Sequence, residues 1–224
     1  MALKNWNTKD ILKFANWLWE EKQYGFSLLA MHGTFLGLKT GTQLGLKWED
    51  IIDEKGNPKL ELDLKGKDQN REISPLCLQL NFALYSELRA NRTDFIYINY
   101  KTKKLIEPTN LSKNLQKYAE AYLIHNNINV YDYYPIKGNS FQIAWAKDIL
   151  EFNNYSKKSF TDLTEFLGKK SIKELIDFVG VSPIEETTIR FDMPDIKNVK
   201  FLIQPIIKYK NSTSRPDFSF VFDD

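Results

Sequence analysis

The sequence predicts an α+β fold, mainly helical, with a small antiparallel β-sheet. Three observations predict it. Apolar residues recur at helical spacing in several separate stretches, as in Ile11, Leu12, Phe14, Ala15, Leu18 and Trp19. One stretch alternates instead with period two: Leu60, Leu62 and Leu64 against Glu61, Asp63 and Lys65. Helix punctuation falls where the helical stretches need it, with Asn7 or Thr8 as an N-cap and Gly168 and Gly180 as terminators.

Taken in order, the first helix starts at Asn7–Asp10 and is broken at Tyr24-Gly25. A second, apolar helix follows over Phe26–Leu38 and carries His32, a core or helix-end histidine. Gly37 to Ile51 should then hold a short helix and lead into a β-region through Trp48–Ile51. Asp53–Pro58 is turn chemistry, and the Leu60–Leu64 strand follows it. Gly66–Asn70 is a polar turn with Lys67 at its tip, and Arg71–Ser74 is a second short strand closed by Pro75. An amphipathic helix spans Leu76–Ala90, with Leu78, Leu80, Phe82, Leu84, Tyr85 and Leu88. Phe95–Ile98 is a short strand. A helix runs from Pro108 to about Leu123, then a Tyr-rich loop covers Asn126–Pro135. Helices at Ser140–Phe152, Phe160–Leu167 and Ser171–Val179 complete the helical part, with a loop at Tyr155–Ser159. Beyond Pro183 the character changes: Thr187–Phe191 and Val199–Ile207 are β-prone, and Phe218–Phe222 is strongly apolar. The expected organisation is one domain over 1–183 and a β-prone tail over 184–224 that packs in cis or on a neighbouring protomer.

A length of 224 residues suits one domain with an appendage. The formal charge is only +2, so any basic surface is local. One cysteine, Cys77, excludes an intramolecular disulfide and a Cys-based zinc cluster, and two histidines give no basis for a His-based metal site. No leader and no apolar run of the ~20 residues a membrane helix needs is visible, so the expected location is intracellular, without a membrane. No motif calls for a cofactor.

Together these segments resemble the catalytic domain of the tyrosine recombinases (phage integrases), from about Asn7 to Gly180. Gly37, Leu38, Leu44, Leu46, Trp48, Asp50 and Ile51 follow that family's first conserved segment, and Lys39 stands where its first arginine belongs. Gly66–Leu76 resembles its hairpin, with Lys67 at the general-acid lysine. Ser140-Phe141 matches the end of its histidine–arginine box, which puts Gly138 at the second arginine and Pro135 and Asn139 at the two histidines. Leu167-Gly168 matches the next segment, with Lys169 in place of a histidine, and Phe178 falls at the nucleophilic tyrosine.

The resemblance implies a DNA-binding chain whose chemistry is largely lost. A phenyl ring has no oxygen with which to form a phosphotyrosyl bond. A lysine at 39 keeps a charge but not the bidentate fork, and Gly138 offers neither. What remains is a candidate phosphate-binding set of Lys39, Lys67, Lys137, Asn139 and Lys169, against the alternative of scattered surface lysines. The leading expectation is an inactive recombinase-like DNA-binding protein, a regulator or accessory factor of a mobile element. Two alternatives stand beside it: an active recombinase with a displaced nucleophile, Tyr155 first, and a protein-interaction module that no longer meets DNA. By resemblance, the tail could also exchange between protomers of a homo-oligomer.

Overall fold

The computed structural model describes residues 3–64 and 71–183 and, as backbone strands, 199–202 and 219–222. Lys67, the Thr187–Phe191 segment and the path of most of the tail lie outside the described residues.

The chain is mainly helical, as its periodicities require. Helix α1 (Thr8–Glu20) is capped by Asn7, whose Oδ1 accepts the Asp10 N–H at 2.8 Å. It buries Ile11, Phe14, Ala15 and Leu18, one face of the helix. Helix α2 (Tyr24–Leu36) is apolar nearly all round, and ten of its thirteen residues are buried, which makes it the central helix. It packs on α1 and on α7 (Gly138–Phe152). The Ser27 hydroxyl ties α2 to α1 by donating to the Ala15 carbonyl at 2.7 Å.

After α2 come two short helices, α3 (Thr40–Leu44) and α4 (Trp48–Ile51). The expected β-region at Trp48–Ile51 is therefore a helical turn. Asp50 Oδ2 accepts the Lys47 N–H at 2.7 Å, which favours the turn over extension. Extended pairing survives only at its flanks, where Lys47 bridges Phe95 and Ile52 bridges Pro58. Strands β1 (Glu61–Leu62) and β2 (Arg71–Glu72) form the expected antiparallel hairpin, in the register Glu61 to Glu72 and Leu62 to Arg71. Leu62 and Leu64 turn inward, but Leu60 is 71% exposed, although its carbonyl accepts the Ile73 N–H at 2.8 Å.

Helix α5 (Pro75–Leu88) starts under a Ser74 cap. Its fully buried face is Cys77, Asn81 and Leu84, while Phe82 and Leu76 remain exposed. Of that face the apolar periodicity names Leu84 but not Cys77 or the polar Asn81. The single strand expected over Phe95–Ile98 is instead a hairpin displaced toward the C-terminus, β3 (Ile98–Asn99) with β4 (Lys104–Leu105). Helix α6 (Pro108–His125) returns across the core, then a 3-10 turn (Val130–Asp132) leads to α7. Helix α8 (Lys157–Phe166) begins inside the expected Tyr155–Ser159 loop, because Ser156 Oγ caps the Ser159 N–H at 3.2 Å. Helix α9 (Ile172–Val179) runs from a Ser171 cap to Gly180. A main core gathers α1, α2, α5, α6 and the first half of α7. A satellite core joins the second half of α7 to α8 and α9. Strands β5 (Val199–Leu202) and β6 (Ser219–Phe222) pair antiparallel with each other. Among the described residues no helix is long and apolar enough to cross a membrane.

His32 is a core histidine. Asn81 Oδ1 lies 2.6 Å from Nε2 and the Tyr97 hydroxyl 2.8 Å from Nδ1. Asn81 Oδ1 can only accept, so Nε2 carries the proton and the Tyr97 hydroxyl donates to Nδ1. Burial lowers the His32 pKa to about 4, the Asn81 hydrogen bond partly opposing it. The neutral ring is the folded form, so its stabilisation is complete above the unfolded value of 6.5 and is lost as pH falls from 6.5 toward 4. Urea unfolding at pH 7 and pH 4 should show about 3 kcal/mol of stability lost through this residue, at 1.36 kcal/mol per pKa unit. A His32→Gln variant should be less stable at pH 7 and show a correspondingly smaller loss between the two pH values.

Candidate nucleic-acid interface

The first of the family-mapped positions sits where α2 ends. Gly37 closes α2 at φ 61°, a left-handed conformation that suits glycine. A Cβ there would also enter the ring of Trp145, coming within 2.7 Å of Cε2. The Gly37 carbonyl accepts the Gln142 Nε2 hydrogen at 2.8 Å. Backbone and ring together seat the α2–α3 corner on α7. Lys39 follows in extended conformation (φ −62°, ψ 140°) as the residue before α3, with its side chain exposed. The corner is held from inside by Gln43, which is fully buried and donates to the Leu38 carbonyl at 3.0 Å.

Position 138 meets this corner directly. Gly138 is the first residue of α7, and a Cβ built on it would lie 2.6 Å from Thr40 Oγ1 and 3.2 Å from Thr40 Cγ2. Thr40 therefore fills the space that any side chain at 138 would need. Lys137 precedes the helix in extended conformation, its N–H donating to Ser140 Oγ at 2.9 Å. Lys137 and Asn139 are exposed beside the contact. The N-terminal end of the α7 dipole and the lysines at 39 and 137 bring positive charge to this corner.

The second pair of mapped positions lies across the α8–α9 turn. Gly168 (φ 63°) ends α8, and the Lys169 N–H donates to the Thr164 carbonyl at 2.9 Å. This geometry turns the Lys169 side chain back over α9, where its Nζ sits 3.8 Å from the centroid of the Phe178 ring. Phe178 is half-buried against the satellite core, and α9 packs on α7. Trp145 stacks on Phe166 at 5.5 Å, joining the Gly37 corner to the end of α8. Gly138 thus abuts Thr40, the chain neighbour of Lys39, and Lys169 lies against Phe178.

Two features escape sequence reasoning. Thr40 carries no motif signal as the occupant of the space beside residue 138. The Lys169–Phe178 contact spans a turn and a helix, a separation that neither helical nor strand periodicity marks. Tyr155 closes α7 through its N–H to the Leu150 carbonyl at 2.8 Å, with φ 53° and its ring packed against the satellite core. A groove between α1, α6 and α7, lined by Trp17, Tyr122, His125 and Asp148, contains none of the mapped positions.

No protein-family model and no curated protein matches the sequence. Among solved structures the fold is similar to that of XerA recombinase, with a TM-score of 0.55 at 12% identity. The likeness covers 81% of this chain and 59% of the recombinase chain, so the chain spans less than two thirds of that protein's length. At this identity the likeness is one of fold.

The two pairs make separate predictions. Gly138→Ala should destabilise the protein by about 1–3 kcal/mol through overpacking. Combined with Thr40→Ala, the same substitution should cost close to nothing, a coupling read from urea unfolding of the single and double variants. For the other pair, a double-mutant cycle with Lys169→Met and Phe178→Leu should give a coupling of about 0.5–1 kcal/mol, the range for a partly exposed cation–π contact.

Proposed function

We propose that this chain binds duplex DNA through the sugar–phosphate backbone at the corner formed by α2, α3 and α7, and does not cut it. Lys39, Lys137 and Asn139 are the contacting groups, with Lys67 of the β1–β2 turn belonging to the same set. Lys169 contributes positive potential while its ammonium rests on Phe178. In this reading the protein serves a mobile element as a regulator or accessory factor, placing or blocking a cutting partner on DNA.

The observation that supports the reading is the fold, which is similar to a recombinase's, taken with the sequence resemblance that puts Gly138 and Phe178 at two of that family's chemical positions. Strand cleavage through tyrosine needs a hydroxyl at the nucleophile and guanidinium forks on the developing phosphorane charge. Phe178 has no hydroxyl, and the space beside residue 138 is filled by Thr40. Lysines act as point charges, suited to holding a phosphate without the bidentate geometry of arginine. Binding through such contacts releases counterions and is therefore steeply salt-dependent.

Gel-shift titration of a random-sequence duplex should show binding at low salt that fades as salt rises. Lys39→Glu with Lys137→Glu should weaken it by about tenfold or more, since two attractive phosphate contacts become repulsive. A folded wild-type protein that shifts no duplex at low salt would overturn the proposal. A nicked suicide substrate should yield no covalent protein–DNA adduct on a denaturing gel. An adduct that disappears in Tyr155→Phe would instead assign cleavage to a displaced tyrosine.

A further inference from the structure

The β3–β4 hairpin carries a concentration of charge that the corner does not use. Its turn reads Tyr100-Lys101-Thr102-Lys103-Lys104, three lysines in four residues, all exposed. None of the three is in an ion pair among the described residues. Three ammonium groups this close repel one another, and a partner carrying closely spaced negative charges would relieve that repulsion.

The hairpin is also built rigidly, which sets it apart from an ordinary solvated loop. Asn99 Oδ1 accepts the N–H groups of both Lys101 and Thr102 at 3.0 Å. The Lys103 N–H donates to the Asn99 carbonyl at 2.7 Å, with Lys103 itself at φ 58°. Tyr100 anchors the turn to the body: its hydroxyl donates to the Ile96 carbonyl at 2.9 Å and its ring meets Tyr24 edge-on at 6.0 Å. The same ring holds the Lys103 ammonium, 5.5 Å from its centroid. Gly25, in the first turn of α2, presses so closely on the Ile98 carbonyl that a Cβ there would collide with it. The backbone that carries these lysines is thus held against the start of α2, while Lys39 follows its end. Twelve residues separate Gly25 from Gly37, about 18 Å at 1.5 Å per residue.

We propose that the Lys101–Lys104 turn is a second, independent anchor for the backbone of duplex DNA, at the opposite end of α2 from the Lys39 corner. This rests on the reading of the protein as a DNA-binding one, but on different residues. A turn whose backbone is already fixed, with the Lys103 ammonium on the Tyr100 ring, loses less freedom on binding than an unstructured loop, so its lysines add affinity without base specificity.

The test is the salt dependence of duplex binding, measured by fluorescence anisotropy with a labelled random-sequence duplex. Wild type is compared with a hairpin variant (Lys101→Gln, Lys103→Gln, Lys104→Gln) and a corner variant (Lys39→Gln, Lys137→Gln). Neutralising one phosphate-binding lysine lowers the slope of log K against log salt by about 0.9, so the hairpin slope should be shallower by roughly two to three units. Thermal melting followed by circular dichroism should be nearly unchanged, because all three side chains are exposed. A hairpin variant with wild-type slope overturns this proposal and leaves the corner standing if the corner variant has a shallower slope. The reverse pattern, a shallower slope in the hairpin variant alone, overturns the corner and upholds the hairpin. Absence of salt-dependent binding by the wild type overturns both.

Discussion

The burial of α2 is the constraint on which the rest of the molecule depends. A helix with Phe26, Leu28, Leu29, Ala30, Leu36 and the neighbouring Leu38 all withdrawn from water has no polar face to offer solvent, so other elements must surround it. Each large apolar side chain among them contributes about 1.5–3 kcal/mol when fully buried. The surroundings come from α1 on one side and α7 on another, with β3 crossing its first turn. Even its histidine is satisfied internally, by Tyr97 and Asn81, because an unpaired ring nitrogen at that depth would be costly.

Both ends of α2 matter for the surface. At the start, the absence of a side chain on Gly25 lets the β3 backbone approach. At the end, the absence of one on Gly37 lets Trp145 pack flat against the turn. The lysine hairpin and the Lys39 corner are therefore positioned by the same helix. Helix α7 then joins the corner to the satellite core: Gln142 holds the Gly37 carbonyl, Gly138 abuts Thr40, and Trp145 stacks on Phe166. Thr40 packs where a long side chain at 138 would have to leave the helix, and a phenyl ring at 178 takes up the Lys169 ammonium. Both positions are packed and partnered, so the corner is a finished structure in its own right.

Much of the helical framework was legible in the residue order. The N-cap at Asn7, the terminators Gly168 and Gly180 and the apolar period of α1 and α7 act within one or two turns, where local chemistry decides. The elements misread were those that apolar spacing does not describe. Trp48–Ile51 looks β-prone, yet Asp50 folds it into a turn. On α5 the spacing points to Leu84 but not to Asn81, a polar side chain that is buried and bonded to His32. The single strand expected at Phe95–Ile98 is instead the β3–β4 hairpin, whose turn the Asn99 side chain organises.

The sequence by itself determined the fold class and the order of the helices, and it places a phenylalanine, with no hydroxyl, at 178. Those follow from spacing and identity, which the chain carries locally. Only the tertiary structure decided that Gly138 is closed by Thr40, that Lys169 rests on Phe178, and that two lysine groups flank a single buried helix. Such facts depend on the approach of residues nine to about a hundred positions apart, set by packing around α2 and α7, and no periodicity along the chain encodes a distance across it.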